Sequence, residues 1–172
     1  MAIPFPFLNT ERLYLRKIQP SDAERVHYFR SDKEINKFIK RPQPQTFEMA
    51  VAHIEKITAL IRTNQSIFWG IMLQNSQVLL GSICLWNLSE DKKTAEVGYD
   101  LDPEFHGKGI MSEALKAVID FGFNRYGLQT IEAYTDYRNI PSKKLLKQLG
   151  FIPSYVFIDP DNQDNAIYYL NR

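Results

Sequence analysis

The hydrophobic patterning of the chain predicts an α/β domain built on one mixed, mostly antiparallel sheet. Three observations carry this. Segments of period two and of period 3.6 follow one another in the order β-α-α-β-β-β-α-β-α-β-β. The 172 residues have the size of one domain, 1–172, and no linker, repeat or low-complexity tract divides them. Hydrophobic residues make up 44% of the chain, enough for a core that needs no disulfide or metal staple. The expected count is about seven strands and about four helices.

Residues 1–10 read as an irregular lead-in with two prolines. Glu11–Ile18 reads as a strand, with Leu13 and Leu15 on one face. Ser21-Asp-Ala-Glu24 has the form of a capping box, and Ala23, Val26 and Phe29 continue at helical spacing. A second box, Ser31-Asp-Lys-Glu34, precedes Ile35 and Phe38, so the first helix is expected in two short pieces. After a loop at Gln43–Gln45, Thr46 is placed to cap an amphipathic helix marked by Phe47, Val51, Ile54, Ile57 and Ile61. Ser66–Leu73, Val78–Trp86 and Thr94–Leu101 read as an antiparallel meander. A long helix then carries Met111, Leu115, Val118 and Gly122 along one face. Gln129–Asp136 is a strand, and Asn139–Leu149 is a helix stopped by Gly150. Ile152–Ile158 and Ala166–Leu170 read as the closing strands.

Charge and cysteine usage narrow the function classes. With 21 basic and 20 acidic residues the chain lacks the basic excess of a general nucleic-acid binder. The single cysteine, Cys84, forms no internal disulfide and fits a reducing compartment. The start lacks the pattern of a signal peptide, and no apolar run approaches a membrane span. These features place the protein in the cytoplasm, with no nucleic-acid or membrane partner. The three histidines and Cys84 show no metal-ligand spacing, so no metal is expected. Either a monomer or a homodimer is compatible with the sequence.

The most informative stretch is Leu101-Asp-Pro-Glu-Phe-His-Gly-Lys-Gly-Ile-Met-Ser112, where a strand ends, a two-glycine loop follows and a helix begins. Free N–H groups at a helix start attract anions, and the helix dipole adds to the attraction. Gly107 and Gly109 permit positive φ and close backbone approach to a phosphate, and Lys108 adds charge. Neither GxxxxGK[ST] nor GxGxxG is present, which excludes the Walker loop and the dinucleotide fingerprint. The residues alone fit an anion-binding loop or a plain turn equally well.

The segment His106-Gly-Lys-Gly-Ile-Met111 resembles motif A of the GNAT N-acetyltransferases, with His and Met at two of its fixed positions. Its wider context, D-P-E-F-H-G-K-G-I-M-S-E-A-L, is similar to the RimJ/RimL branch. T-E-R-L-Y-L-R, A-E-V-G-Y-D-L, Asn139 with Ser142, and Leu149-Gly-Phe151 extend the likeness over nearly the whole chain. The resemblance implies a GNAT-like sheet with splayed central strands and acetyl-CoA as cosubstrate. The pantetheine arm would pair with Tyr99, Asp100 and Leu101, and the pyrophosphate would lie on Gly107, Lys108, Gly109, Ile110, Met111 and Ser112.

Acetyl transfer to an amine by direct attack, through a tetrahedral intermediate, needs a base for the amine and a hydrogen-bond donor at the departing sulfur. Glu96, opposite Val97 in the alternation and beside a bulge expected at Gly98, is the candidate base; Asp100 shares its face. The family often has a Glu on this strand acting through a water. Ser142 is the candidate partner of the sulfur, because Leu146 stands where many relatives have a tyrosine. Its alternative is a helix cap. Asn139 bonds either the pantetheine amide or its own loop. The acceptor expected from the resemblance is a protein or peptide α-amine, such as a ribosomal-protein N-terminus. A small-molecule amine or antibiotic, and a non-catalytic CoA-binding module, are the alternatives. Lys33–Arg41 is mildly basic, which argues against a highly cationic acceptor.

Overall fold

The computed structural model describes residues 4–172, so residues 1–3 of the lead-in lie outside the described residues. The rest of the lead-in is more ordered than the sequence predicts. Leu8–Asn9 (β1) pairs antiparallel with Leu13–Lys17 (β2), Leu8 facing Leu15. Two residues are too few to show a period, which is why the pattern does not reveal this edge strand.

Helix Ala23–Ser31 (α1) follows a 3-10 turn at Pro20–Asp22. The box expected at Ser21 does not form. Asp22 instead accepts from the Gln19 N–H at 2.7 Å and from Arg16 of β2 through two bonds, Nη1 at 2.7 Å and Nη2 at 2.8 Å. Both side chains are buried, so this bidentate pair ties the start of α1 to the sheet. The second helical piece is also absent. Ser31 is the last residue of α1, and residues 33–38 form turns. Asp32 Oδ1 accepts from the N–H groups of Glu34 and Ile35, and Asn36 Nδ2 donates to the carbonyls of Phe29 and Asp32. These local side-chain bonds compete with helix continuation.

Thr46 caps Phe47–Arg62 (α2) as the sequence predicts, accepting from the Met49 N–H at 3.2 Å. The meander follows as Ile67–Leu73 (β3), Gly81–Trp86 (β4) and Thr94–Leu101 (β5), all antiparallel. Ile110–Asp120 (α3) runs on into a wider π-helical turn at Phe121–Tyr126 and returns the chain to Thr130–Asp136 (β6), parallel to β5. Ile140–Gln148 (α4) follows, with Gly150 at φ +90° beyond its end.

The strand expected over Ile152–Ile158 shrinks to Ile152–Pro153 (β7), paired with Asn165–Asn171 (β8). Tyr155, Val156, Phe157 and Ile158 are 72–91% exposed. Among the described residues no second layer covers them, so their apolar character did not encode a strand. Among the described residues the sheet therefore has eight strands, in the order β1-β2-β3-β4-β5-β6-β8-β7, with β5·β6 its parallel pair.

Alternation gives each face its own cover. Leu13, Leu15, Trp69, Ile71, Ile83, Val97 and Ile131 form the larger core with Ala114, Leu115 and Val118 of α3 and Leu146 of α4. The opposite face is covered by α1 and α2, through Val26, Ala50, Ile54 and Ile57 with Phe68, and through Phe29 against Met72. Removing one partner of the buried Arg16–Asp22 pair leaves the other charge uncompensated. Asp22→Ala should therefore cost about 3–5 kcal/mol, read as a fall in the urea midpoint at unchanged m-value.

Candidate active site

Strands β5 and β6 pair only from Thr94↔Thr130 to Val97↔Ala133. Beyond that point Gly98–Leu101 keep their β4 partners and Tyr134–Asp136 keep their β8 partners, so the two strands part. The inner edge of Tyr99, Asp100 and Leu101 is left facing this gap, where an extended chain could add as a strand. One of its acceptors is engaged: the Leu101 carbonyl receives the His106 Nε2–H at 2.9 Å. The bulge expected at Gly98 is absent, because β4 and β5 run in unbroken register from Trp86↔Glu96 to Gly81↔Leu101. Gly98 serves close approach instead. A Cβ there would meet Cys84 Sγ at 3.2 Å.

At the end of β5 the chain turns through Pro103–Phe105 into the glycine loop. Asp102 Oδ1 accepts from the Glu104 N–H, and its Oδ2 accepts from Arg25 Nη2 at 2.7 Å. Gly107 and Gly109 both have positive φ, +71° and +74°. Glu113 is the first residue of α3 whose N–H bonds back, to Gly109, so those of Ile110, Met111 and Ser112 are free at the helix start. Met111 and Ile110 are buried through their side chains, which leaves only their backbone to face a ligand. The Lys108 ammonium lies 5.2 Å from the Phe105 ring centroid, at the exposed edge of the loop.

Arg12, which the sequence places in the Glu11–Ile18 strand and in T-E-R-L-Y-L-R but which precedes β2, braces this loop. Its Nη1 donates to the Lys108 carbonyl at 2.9 Å and its Nε to Glu113 Oε2 at 2.6 Å. Glu113 also accepts from Thr10 Oγ1, and its carboxyl is held below the usual range: these hydrogen bonds and the Arg12 charge outweigh a burial effect in the other direction. A Cβ at Gly109 would sit 3.3 Å from Arg12 Nη2.

Tyr99 points to the α3/α4 side, and its hydroxyl lies 2.7 Å from Ser142 Oγ. Asn139 is the true cap of α4, its Oδ1 accepting from the Ser142 N–H at 3.2 Å. The Ser142 hydroxyl is therefore not the cap but part of a pair with Tyr99. Burial pushes the Tyr99 phenol up to about 12, against the opposing effect of its bond to Ser142. Leu146 is fully buried in the core.

Glu96 faces the α1/α2 side. Burial, with the neighbouring Glu132 and Asp159 charges, pushes its carboxyl up to about 7 against a 3.4 Å bond from Asn87 Nδ2. Glu132 stands opposite it on β6 and accepts from the Tyr134 hydroxyl at 3.4 Å. Asp100, on the same face, is committed to Ser82, whose N–H and Oγ donate to its Oδ1 at 2.9 and 2.7 Å. Burial raises the Cys84 thiol to about 12, which keeps it protonated and unreactive.

The glycine loop with free N–H groups, the splayed strands and two hydroxyls beside them fit a phosphate-bearing thioester on an extended arm. The sequence profile of the acetyltransferase (GNAT) domain family matches residues 12–152. The chain belongs to this family, and is an N-acetyltransferase that takes its acetyl group from acetyl-CoA. It is 31% identical to the N-acetyltransferase YoaA of Bacillus subtilis (strain 168), over 96% of this chain and 97% of that one. It is 25% identical to the [ribosomal protein uS5]-alanine N-acetyltransferase of Escherichia coli (strain K12), over 98% and 92%. It shares its fold with RimL, the ribosomal L7/L12 alpha-N-protein acetyltransferase solved with coenzyme A, at a TM-score of 0.84, 20% identity and coverage of 96% and 98%.

Two variants test the loop. Gly109→Val places a β-branched residue at positive φ against Arg12 and should abolish acetyl-CoA binding in a folded protein. Arg12→Ala should weaken acetyl-CoA binding without abolishing it, because the glycines remain. Calorimetric titration reads both; wild-type affinity in Gly109→Val would remove the pyrophosphate from residues 107–112.

Proposed function

We propose that this enzyme acetylates the N-terminal α-amine of a protein or peptide, with Glu96 as base and the Ser142–Tyr99 pair at the departing sulfur. The observation that carries the reading is Glu96 itself: a half-buried carboxyl with its ionisation near pH 7, on the face opposite Tyr99 and beside the end of the β5·β6 pairing. A carboxylate poised there accepts a proton from an ammonium acceptor, directly or through one water. Acetyl-CoA supplies the activated acyl group. Tyr99 stays protonated at neutral pH, so the pair offers a hydroxyl hydrogen to the thiolate as it leaves. Asn139 fixes the first turn of α4 and with it the position of Ser142. The likeness to the uS5-alanine enzyme supports a protein α-amine as acceptor. The lone, buried Cys84 supports a cytoplasmic setting, and among the described residues no helix is long and apolar enough to cross a membrane.

Glu96→Gln should lower turnover by about 10²–10⁴-fold. A base works deprotonated, so the wild-type rate should rise with pH through about 7, and the variant should lose that limb. An unchanged rate and profile would move the base elsewhere. Ser142→Ala and Tyr99→Phe should each lower turnover more than they weaken acetyl-CoA binding, since their contribution belongs to the transition state. Asn139→Ala should instead lose about 0.5–2 kcal/mol of stability, as for other lost caps.

A further inference from the structure

Most arginines of the described chain are either paired with a carboxylate or exposed. Arg12, Arg16, Arg25 and Arg138 have partners within 4.0 Å, at Glu113, Asp22, Asp102 and Asp136. Arg62, Arg125 and Arg172 are exposed. Arg30 and Arg41 are neither. Both are half-buried, and among the described residues neither meets a carboxylate within 4.0 Å.

Their placement is built rather than incidental. Arg30, in the last turn of α1, donates from Nε to Gln45 Oε1 at 3.1 Å. Gln45 is buried, with its Nε2 on the Pro42 carbonyl at 2.6 Å and its own carbonyl at 2.9 Å from His27 Nε2. Arg41 donates from Nη1 to Asn36 Oδ1 at 2.6 Å, and Asn36 is held by two bonds to the end of α1. Each guanidinium has five N–H donors and spends one here on a neutral amide. The segment that carries them folds over the Glu96 face of the sheet. There Arg30 and Arg41 feel each other and Asp100, and both weaken the basicity of His53, which burial first of all lowers to about 4. His53 is therefore neutral at pH 7, and Asp100 is already bonded twice to Ser82. Two cations in partial burial, with spare donors and no contacting counter-charge, lack an anion.

We propose that Arg30 and Arg41 form an anion subsite on the acceptor side of the sheet, so that the amine acetylated here carries a carboxylate or phosphate near its amino group. This rests on the acetyl-acceptor reading of the Glu96 face. Glu96 and Asp100 lie four residues apart on one strand, roughly 13 Å by strand rise. Three extended peptide residues cover about 10–11 Å of the distance between an amine at Glu96 and an anion at the Asp100 end, and the third side chain reaches the remainder.

The test uses four C-terminally amidated tetrapeptides, Ala-Ala-Glu-Ala, Ala-Ala-phosphoserine-Ala, Ala-Ala-Gln-Ala and Ala-Ala-Lys-Ala, as acceptors with acetyl-CoA and the whole chain, so that only the third side chain varies the charge. At least one acidic peptide should exceed the Gln peptide tenfold or more in kcat/KM, with the Lys peptide last; which acidic peptide leads identifies the anion. Arg30→Gln and Arg41→Gln should each shrink that ratio to about twofold, and Arg41→Lys, which keeps the charge, should preserve most of it. Equal use of all four peptides, or a ratio unmoved by the Gln variants at unchanged melting temperature, overturns the subsite. If no peptide is acetylated, the acceptor reading fails separately. Calorimetry with N-acetyl-Ala-Ala-Glu-Ala amide, its phosphoserine counterpart and the Gln control, all amidated, then decides the subsite: tighter binding of an acidic product, lost in Arg41→Gln, supports it, and equal binding refutes it.

Discussion

The parting of β5 from β6 after Val97 and Ala133 governs the rest of the molecule. Inside a continuous sheet each strand edge is satisfied by its neighbour. Here Gly98–Leu101 and Tyr134–Asp136 have strand partners on their outer edges alone, at β4 and β8. A sheet tolerates such an opening only where something else meets the exposed backbone. The extended arm of coenzyme A matches that requirement, with hydrogen-bonding amides along a chain of strand-like width.

Both faces are organised around the gap. On one side α3 and α4 pack on the larger core, and each starts beside the gap. The start of α3 leaves three N–H groups free behind two glycines of positive φ. The start of α4 brings Ser142 to Tyr99. Arg12, in the turn between β1 and β2, links the first of these to the far end of the sheet, so the loop is held by that turn as well as by its own helix. On the other side, α1 and α2 leave a half-buried, charged surface, acidic around Glu96 and Glu132 and basic around Arg30 and Arg41. The same low-polarity surroundings raise Glu96 toward neutrality and make the arginines costly without a partner.

Much of this was legible in the residues. Thr94–Leu101 has the bounds that its alternation predicts, and alternation also separates Glu96 from Tyr99. The Thr46 cap and the apolar stripe of α2 are local signals and hold. The glycine loop needed φ > 0 at two positions and obtained it. Expectations failed where a polar side chain had a choice of partners. At the start of α1 it is Asp22 rather than Ser21 that bonds the turn, accepting from the Gln19 N–H and pairing with Arg16, and Asp32 chose a turn over a second helix.

By itself, then, the sequence determined the periodicities, the glycine-loop conformation, the face that each β5 side chain occupies and the family. Those depend on backbone sterics and on neighbours within a few residues. The tertiary structure decided the rest: the extent of the splay, the brace from Arg12, the contact of Tyr99 with Ser142, and the bonds of Arg30 and Arg41 to the neutral amides of Gln45 and Asn36. Each of these joins residues up to 101 positions apart, as Arg12 and Glu113 do. Tyr155–Ile158 marks the same boundary from the other side. An apolar run becomes a buried strand only when a second layer covers it, and whether one does is a property of the whole fold.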